Sequence, residues 1–177
     1  MTTTEQKQPE IGPTSALKFG PAIVILLLFS IGYFLGIARV PFHPDESTYL
    51  FMSSDISTFS QNPELLFWTP DNADDPRMRY RVLDAPLNRY LIEISRTSSR
   101  IDGLESDWDW SKSWDQNLSA GAYPPEQLLI AGRMAGAFFF PLTLGLIFLI
   151  GKRLGGLTTA YSGLILLGSN ALILLHT

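Results

Sequence analysis

The sequence predicts an all-α membrane protein with three transmembrane helices and a large extracytoplasmic loop that contains short amphipathic helices. Three observations predict this fold: long uncharged apolar runs, basic residues beside the ends of those runs, and a long acidic segment between the first run and the second. The 177 residues carry a net charge of -4 and no basic cluster, which argues against nucleic acid as a partner. The absence of cysteine excludes a disulfide scaffold, a thiolate metal site and a cysteine nucleophile.

Residues 18–39 are predicted to form the first transmembrane helix. They include 19 consecutive uncharged residues, from Gly20 to Ala38, which at about 1.5 Å per residue roughly span a bilayer core. A cleaved signal peptide is the alternative, but its apolar core is expected to be shorter, roughly 7 to 15 residues, so an uncleaved anchor is favoured. Residues 1–17 have almost nothing to bury and are predicted to be a disordered cytoplasmic tail.

Two further spans are predicted at residues 128–151 and 154–175, where charges are almost absent. We expect Arg133, near the outer end of the second span, to extend its side chain toward the membrane interface. Lys152 and Arg153 lie between the two spans and are predicted to form a tight turn.

The basic residues predict the orientation of the chain in the membrane. Lys7, Lys18 and the Lys152–Arg153 pair all lie on one side if residues 40–127 lie on the other, and short basic segments stay cytoplasmic. Residues 40–127 contain 15 Asp and Glu against 7 Lys and Arg, a net charge of 7 - 15 = -8. The sequence therefore predicts an integral protein of the inner or plasma membrane with a cytoplasmic N-terminus and an acidic loop outside.

A short acidic motif follows the first span directly, with Asp45 and Glu46 two residues after His43. Pro44 favours a helix start here, and acids in a first helical turn are most simply explained as partners of the helix dipole. The same carboxylates also lie close to the predicted outer membrane face, where a low dielectric raises carboxylate basicity. Asp45 is therefore a candidate general base, and Glu46 and His43 are candidate neighbours in the site.

A second helix is predicted from residue 84 onward, because Leu87, Leu91 and Ile94 follow helical spacing while the charged residues take other faces. Such an amphipathic helix is expected to lie along the bilayer surface and to cover the acidic motif. Four arginines in or just before this helix are candidate ligands of a phosphate group, although charge balance within an acidic loop explains them equally well. They are Arg77, Arg79, Arg81 and Arg89.

Residues 107–115 hold three of the four tryptophans. Anchoring at the membrane interface is the default role for tryptophan beside a span, and stacking on a sugar ring is the alternative. Asp107 and Asp109 resemble the metal-binding pair of nucleotide-sugar transferases, but that pair follows a strand of an α/β domain, which this sequence does not predict. Asn117 begins a sequon for N-glycosylation.

Four features follow one another along the sequence. They are an apolar span, the His43-Pro44-Asp45-Glu46 motif, an amphipathic helix that begins with proline, and Arg133 at the start of another span. This order resembles the N-terminal third of integral-membrane glycosyltransferases of the GT-C architecture. It is similar to the superfamily of protein O-mannosyltransferases and bacterial lipid A aminoarabinose transferases, and the resemblance covers most of residues 18–177.

In that superfamily an acidic Asp-Glu motif follows the first span, and Asp45 and Glu46 match it. A later His-Pro-Pro-Leu-like element begins a juxtamembrane helix. Here that element keeps Pro86 and Leu87 but has Asp84 where the family has histidine.

The resemblance implies transfer of a sugar from a polyprenyl-phosphate carrier to an acceptor hydroxyl, with inversion, on the non-cytoplasmic face. It implies Asp45 as the base, Glu46 as its orienting or acceptor-binding neighbour, and membrane lipid and the lipid-linked sugar as partners. Some relatives bind a divalent metal near the motif and others need none, so no metal and no cofactor is predicted here.

Members of the superfamily have many more spans than three, so this chain is expected to be an incomplete GT-C fold. It would be a fragment of a longer reading frame, one of two chains that assemble, or a decayed copy, and these residues alone are not expected to be active. The alternative is a non-catalytic three-span protein whose acidic outer loop binds a partner.

Overall fold

The computed structural model describes residues 19–84 and 86–170, and within these ranges all regular structure is helical. The predicted tail at 1–17 and the end of the predicted third span lie outside the described residues. Short 3-10 turns follow or separate the helices at Ile37–Arg39, Pro63–Leu66 and Pro70–Asn72. The helices are α1 (Gly20–Gly36), α2 (Pro44–Phe51), α3 (Asp55–Gln61), α4 (Pro76–Leu83), α5 (Pro86–Ser98), α6 (Trp114–Ser119), α7 (Glu126–Ala137) and α8 (Phe139–Gly168).

Two helical stretches of the described chain are long and apolar enough to cross a membrane. They are Gly20–Arg39, with 20 residues, and Glu126–Gly168, with 43. The first agrees with the predicted span at 18–39. The second joins α7 and α8 and is about twice the length that one crossing needs.

The chain reverses direction inside α8, at two adjacent glycines. Gly155 and Gly156 leave the helical conformation, and the positive φ of 76° at Gly156 is one that residues with a side chain rarely adopt. Residues on either side then meet in antiparallel order: a Cβ on Gly151 would lie 2.9 Å from the Cα of Ala160. Lys152 and Arg153 are helical, so the predicted turn falls a few residues later than expected.

Helices α1 and α8 pack against each other through aromatic and small residues. The rings of Tyr33 and Phe140 stack with centroids 4.1 Å apart, and Ala160 and Leu164 are fully buried beside them. A second core lies among α2, α5 and α7 and contains Leu50, Met52, Ile92, Leu104 and Leu128. This second core places the beginning of α2 beside α7.

The predicted amphipathic helix is present as α5, and its charged face points into the protein. Arg89, Glu93 and Arg96 are buried, whereas Leu87 and Ile94 are 61% and 52% exposed. Helix α5 also packs along α7, where the Ser95 hydroxyl donates a hydrogen bond to the Ala131 carbonyl oxygen at 2.6 Å.

Candidate functional site

The acidic motif forms a capping box at the start of α2. The imidazole Nδ1 of His43 accepts a hydrogen bond from the Asp45 amide at 3.3 Å, and a Glu46 carboxylate oxygen accepts one from the His43 amide at 2.8 Å. Pro44 occupies the first helical position, where no amide hydrogen is needed. These contacts satisfy amides that the first turn would leave unpaired. They support the structural interpretation of the two acids as helix-start residues.

Glu46 is also held by Arg133 of α7. The guanidinium Nε lies 2.6 Å from one carboxylate oxygen, and Nη2 lies 2.9 Å from the other. The Arg133 side chain is only 3% exposed. The charge of Arg133 is therefore neutralised inside the protein by a bidentate ion pair. The expectation that its side chain extends toward the membrane interface stays a prediction.

Arg133 also binds carbonyl groups just after the C-terminal end of α1. Its Nη1 donates to the carbonyl oxygens of Ile37 at 2.8 Å and Val40 at 2.9 Å, and its Nη2 donates to that of Pro41 at 3.3 Å. A helix end leaves such carbonyl groups without partners. One side chain of α7 thus fixes the end of α1 and the beginning of α2 relative to each other.

The two acids of the motif consequently have different surroundings. The Asp45 side chain is 61% exposed, and the His43 imidazole lies beside it, with Nδ1 3.5 Å from a carboxylate oxygen. Glu46 uses both of its oxygens on Arg133 and the His43 amide. Asp45 is therefore the acid whose carboxylate is open to a ligand.

A cavity of about 670 Å³ lies beside the motif, and both Asp45 and His43 line it. Its walls are mostly apolar, which suits a lipid chain or an apolar group with a polar end near Asp45. Gly136 faces it with no atom within 4 Å of the position a Cβ would take. The lining residues are Val40, Pro41, Phe42, His43, Asp45, Glu46, Tyr49, Leu50, Asn88, Ile92, Leu129, Gly132, Arg133 and Gly136.

None of the four predicted phosphate-binding arginines lines this cavity. Arg81 and Arg89 lie with their Nε atoms 2.8 Å and 3.1 Å from the two oxygens of Asp55, and all three side chains are buried or nearly so. Only the Arg81 contact has hydrogen-bond geometry, since the Arg89 Nε has no such partner.

Arg77 and Arg79 lie on the same helix but differ in their contacts. The Arg77 guanidinium lies 4.0 Å from the centroid of the Phe51 ring, and its Nε donates to the Phe51 carbonyl oxygen at 3.2 Å. Arg79 is exposed. Of the predicted substrate-binding residues, His43 is therefore the one found beside Asp45, and Arg79 is the arginine that remains open to solvent.

The two aspartates at 107 and 109 have separate structural partners. Asp107 accepts hydrogen bonds at 2.8 Å each from the Thr48 hydroxyl, the Tyr80 hydroxyl and the Trp108 amide. Burial and, after it, the bond to Asp107 raise the pKa of the Tyr80 hydroxyl. This arrangement ties α4 to α2 and leaves Asp107 no role as half of a metal pair.

Asp109 is held within its own turn. The Ser111 side chain, the Ser111 amide and Lys112 stabilise the carboxylate and lower the pKa of Asp109 to about 2. Among residues 19–84 and 86–170, no group of three or more acidic or histidine side chains is placed to hold a metal ion.

Asn117, the sequon residue, is buried and forms part of the same turn. Its side-chain amide donates to the Asp109 carbonyl oxygen at 2.9 Å and to that of Ser113 at 3.1 Å. An asparagine amide used in this way is not accessible for glycosylation, so the sequon is a structural element.

Arg133 is the residue of this site that sequence reasoning missed. Its signal was a single cation at the start of an otherwise uncharged run, which in a membrane protein marks a paired charge.

No known protein family, curated protein or solved structure matches this chain.

Proposed function

We propose that this chain is the N-terminal portion of an integral-membrane glycosyltransferase that moves a sugar from a polyprenyl-phosphate donor to an acceptor hydroxyl on the non-cytoplasmic face. The observation that carries the proposal is the free carboxylate of Asp45 at the edge of a largely apolar cavity, at the outer end of the apolar helix α1. A lipid-linked donor has its reactive bond at the membrane surface, so its catalytic base must also lie there.

Asp45 acts as the general base in this proposal. It takes the proton of the acceptor hydroxyl as the hydroxyl oxygen attacks the anomeric carbon. The bond from that carbon to the phosphate oxygen breaks, and polyprenyl phosphate leaves with the bonding electrons. Attack from the face opposite the phosphate inverts the anomeric centre.

Glu46 and Arg133 position the base. Their ion pair fixes the first turn of α2 against the end of α1, so that the Asp45 carboxylate keeps its place beside the cavity. We assign His43, which also lines the cavity, to the donor phosphate as a hydrogen-bond donor through Nε2, since its Nδ1 accepts a hydrogen bond from the Asp45 amide. Arg79 is exposed but does not line the cavity, so it has no role in this proposal. Arg77, Arg81 and Arg89 have structural roles instead.

The proposed topology has three spans. Helix α1 is the first, the part of α8 before Gly155 is the second together with the end of α7, and the part of α8 after Gly156 begins the third. The N-terminus and the Gly155–Gly156 reversal lie in the cytoplasm, and α2 to α6 lie outside. The remaining spans of a GT-C fold would then come from a longer reading frame or from a second chain.

A second candidate function is a non-catalytic scaffold whose acidic outer loop binds a partner. It is favoured by the net charge of the loop, since residues 40–127 carry 15 Asp and Glu against 7 Lys and Arg.

The proposal is tested by Asp45→Asn in membranes of the host that makes the protein, where any partner chain is retained. Removing a general base is expected to lower transfer from a radiolabelled polyprenyl-phosphate sugar by about 100-fold or more. Asp102→Asn, an exposed acid of the same loop, is the matched control and is expected to keep full activity. Equal activity of both variants contradicts the role of Asp45. If no variant and no wild-type membrane transfers sugar, the scaffold is favoured.

A further inference from the structure

Trp110 presents an exposed indole from a firmly held turn. The indole is 66% exposed. On one side of it, the Asp109 amide donates to the Asn117 side chain at 2.8 Å. On the other, the Ser111 amide donates to the Asp109 carboxylate at 2.9 Å. The backbone of Trp110 is therefore fixed from both sides while its largest apolar surface is left in solvent.

The neighbouring tryptophans show that Trp110 is not needed to fill the core. Trp108 and Trp114 pack together with ring centroids 4.9 Å apart, and both contact Phe42. Trp108 is buried in this cluster. The only ring near Trp110 within the described residues is the His43 imidazole, with centroids 6.5 Å apart.

Trp110 lies near His43, which in turn neighbours the candidate base. The His43 Nδ1 is 3.5 Å from an Asp45 carboxylate oxygen, both side chains are more than 60% exposed, and both line the cavity. An exposed aromatic face, an imidazole and a carboxylate thus follow one another from Trp110 to the cavity.

This combination has a specific chemical preference. The face of an indole is electron-rich and attracts the weakly positive C–H groups on the apolar face of a pyranose ring. The carboxylate and the imidazole bind hydroxyl groups. Residues 105–115 contain four acids against one lysine, and this excess of negative charge disfavours an anionic lipid head group at the same place.

We propose that Trp110, His43 and Asp45 form a saccharide-binding subsite in which the indole stacks on one pyranose ring. The part this subsite plays in a reaction rests on the proposed function, since the ring belongs either to the sugar of the donor or to a glycan acceptor. Binding of the ring itself does not depend on catalysis.

The test is saturation-transfer NMR of the full chain in detergent, with methyl α-mannopyranoside, methyl β-galactopyranoside and methyl β-N-acetylglucosaminide as separate probes. Trp110→Ala is expected to weaken binding of the preferred glycoside at least about threefold. Trp68→Ala removes another well-exposed tryptophan and is expected to leave binding unchanged. If none of the glycosides binds, or if both variants lose signal equally, the subsite is disproved.

Fluorescence quenching by brominated phospholipid separates the subsite from a membrane anchor. Comparison of wild type with Trp110→Phe isolates the emission of Trp110. We expect no quenching of this emission, because the indole faces an acidic aqueous edge. Strong quenching would place Trp110 in the bilayer interface and overturn the proposal.

Transfer kinetics in host membranes distinguish the source of the sugar. If Trp110→Ala raises the KM for the acceptor, the stacked ring belongs to the acceptor. If it raises the KM for the donor, the ring belongs to the donor. Unchanged KM values for both substrates would refute the subsite. Asp45→Asn is expected to lose transfer and, because its carboxylate is part of the subsite, to weaken glycoside binding as well. Glycoside binding without any transfer would refute the proposed function alone, and transfer that needs Asp45 but not Trp110 would refute the subsite alone.

Discussion

The two packed regions of this molecule differ in the polar side chains that they bury. In the region formed by α1 and α8, the core is apolar and large apolar residues such as Leu28, Leu35 and Leu166 are more than half exposed. We call the region formed by α2 to α6, which the proposed topology places outside the membrane, the outer region. It has an apolar core too, but it also buries Asp55 and Glu93, while apolar residues of α4 and α5 face outward. The exposed apolar surfaces of both regions fit surroundings that are partly lipid.

The difference teaches how each region gains its stability. The α1–α8 region is held by close packing of small and aromatic residues, which needs no buried charge. The outer region also depends on hydrogen bonds and ion pairs to the charged groups that it buries, although the Arg89 Nε has no hydrogen-bond partner among the described residues. Glu93, for example, accepts hydrogen bonds from the amides of Ile56 at 2.6 Å and Ser57 at 2.7 Å, at the beginning of α3. The stability of the outer region should therefore depend on individual charged residues.

The largest expected effect is on the Asp55 cluster. Asp55→Ala leaves Arg81 and Arg89 buried without their shared carboxylate, and breaking a buried pair in this way costs about 3–5 kcal/mol. The measurement is the free energy of unfolding in urea with the protein in detergent. Asp102→Ala, an exposed acid, is the control and should change it by less than about 0.5 kcal/mol.

A triple variant sharpens this result. Replacement of Asp55, Arg81 and Arg89 together by leucine removes the buried charges as a set and should recover most of the loss, because an apolar replacement of a buried ion pair is often neutral. If Asp55→Ala is as stable as the control, the outer region does not rely on this charged set.

The second effect concerns Arg133, which joins the two regions. Arg133→Lys keeps the charge but loses the planar fork that binds Glu46 and three carbonyl oxygens, so we expect a loss of about 1–3 kcal/mol. Arg153→Lys, on an exposed position of α8, is the matched control. A double-mutant cycle with Glu46→Gln should show coupling of at least about 0.5 kcal/mol. Additive effects would mean that the ion pair does not couple the regions.

Local patterns predicted α1, α2 with acids in its first turn, and α5, but not the long-range pairs. Uncharged runs and helix-starting prolines indicated these helices, since such signals act within a few residues. Glu46 and Arg133 are 87 residues apart, and no periodicity in the sequence connects them. The turn predicted at Lys152–Arg153 lies a few residues before the actual reversal, where the positive φ of Gly156 favours glycine.

The orientation of α5 shows a different limit. Its spacing defined two faces correctly, one apolar and one charged. The spacing does not tell which face meets the protein, because an apolar face is buried equally well by a core or by a membrane. Arg89, the one of the four candidate arginines that lies on α5, is buried because the charged face meets the protein.

The third prediction tests whether the outward face of α5 contacts lipid. The chain has no cysteine, so single cysteines introduced at Leu87 or Ile94 take a fluorescent nitrobenzoxadiazole label without competition. In bilayers we expect a blue shift and quenching by brominated lipid at both positions. A labelled cysteine at Ser98, which is exposed at the end of the same helix, is the control and should show neither the blue shift nor the quenching. Equal quenching at all three positions, or at none, would contradict a lipid-facing side of α5.

The smallest change in stability is expected at the Asp109 turn. Hydrogen bonds from Ser111, together with Lys112, lower the pKa of Asp109 from 3.8 to about 2. Ser111→Ala removes the side-chain hydrogen bond that contributes most to this shift, so carboxyl NMR titration should show the pKa of Asp109 rising toward 3.8.

Because the folded state has the lower pKa, the Asp109 carboxylate stabilises the turn above about pH 4, and this contribution is lost as the pH falls through about 2. Solvent screens the carboxylate, so the change in stability should be small even though the change in pKa is measurable, in contrast to the buried set around Asp55. An unchanged pKa in Ser111→Ala would mean that the turn does not hold the Asp109 carboxylate, and that Trp110 is less firmly fixed than its hydrogen bonds indicate.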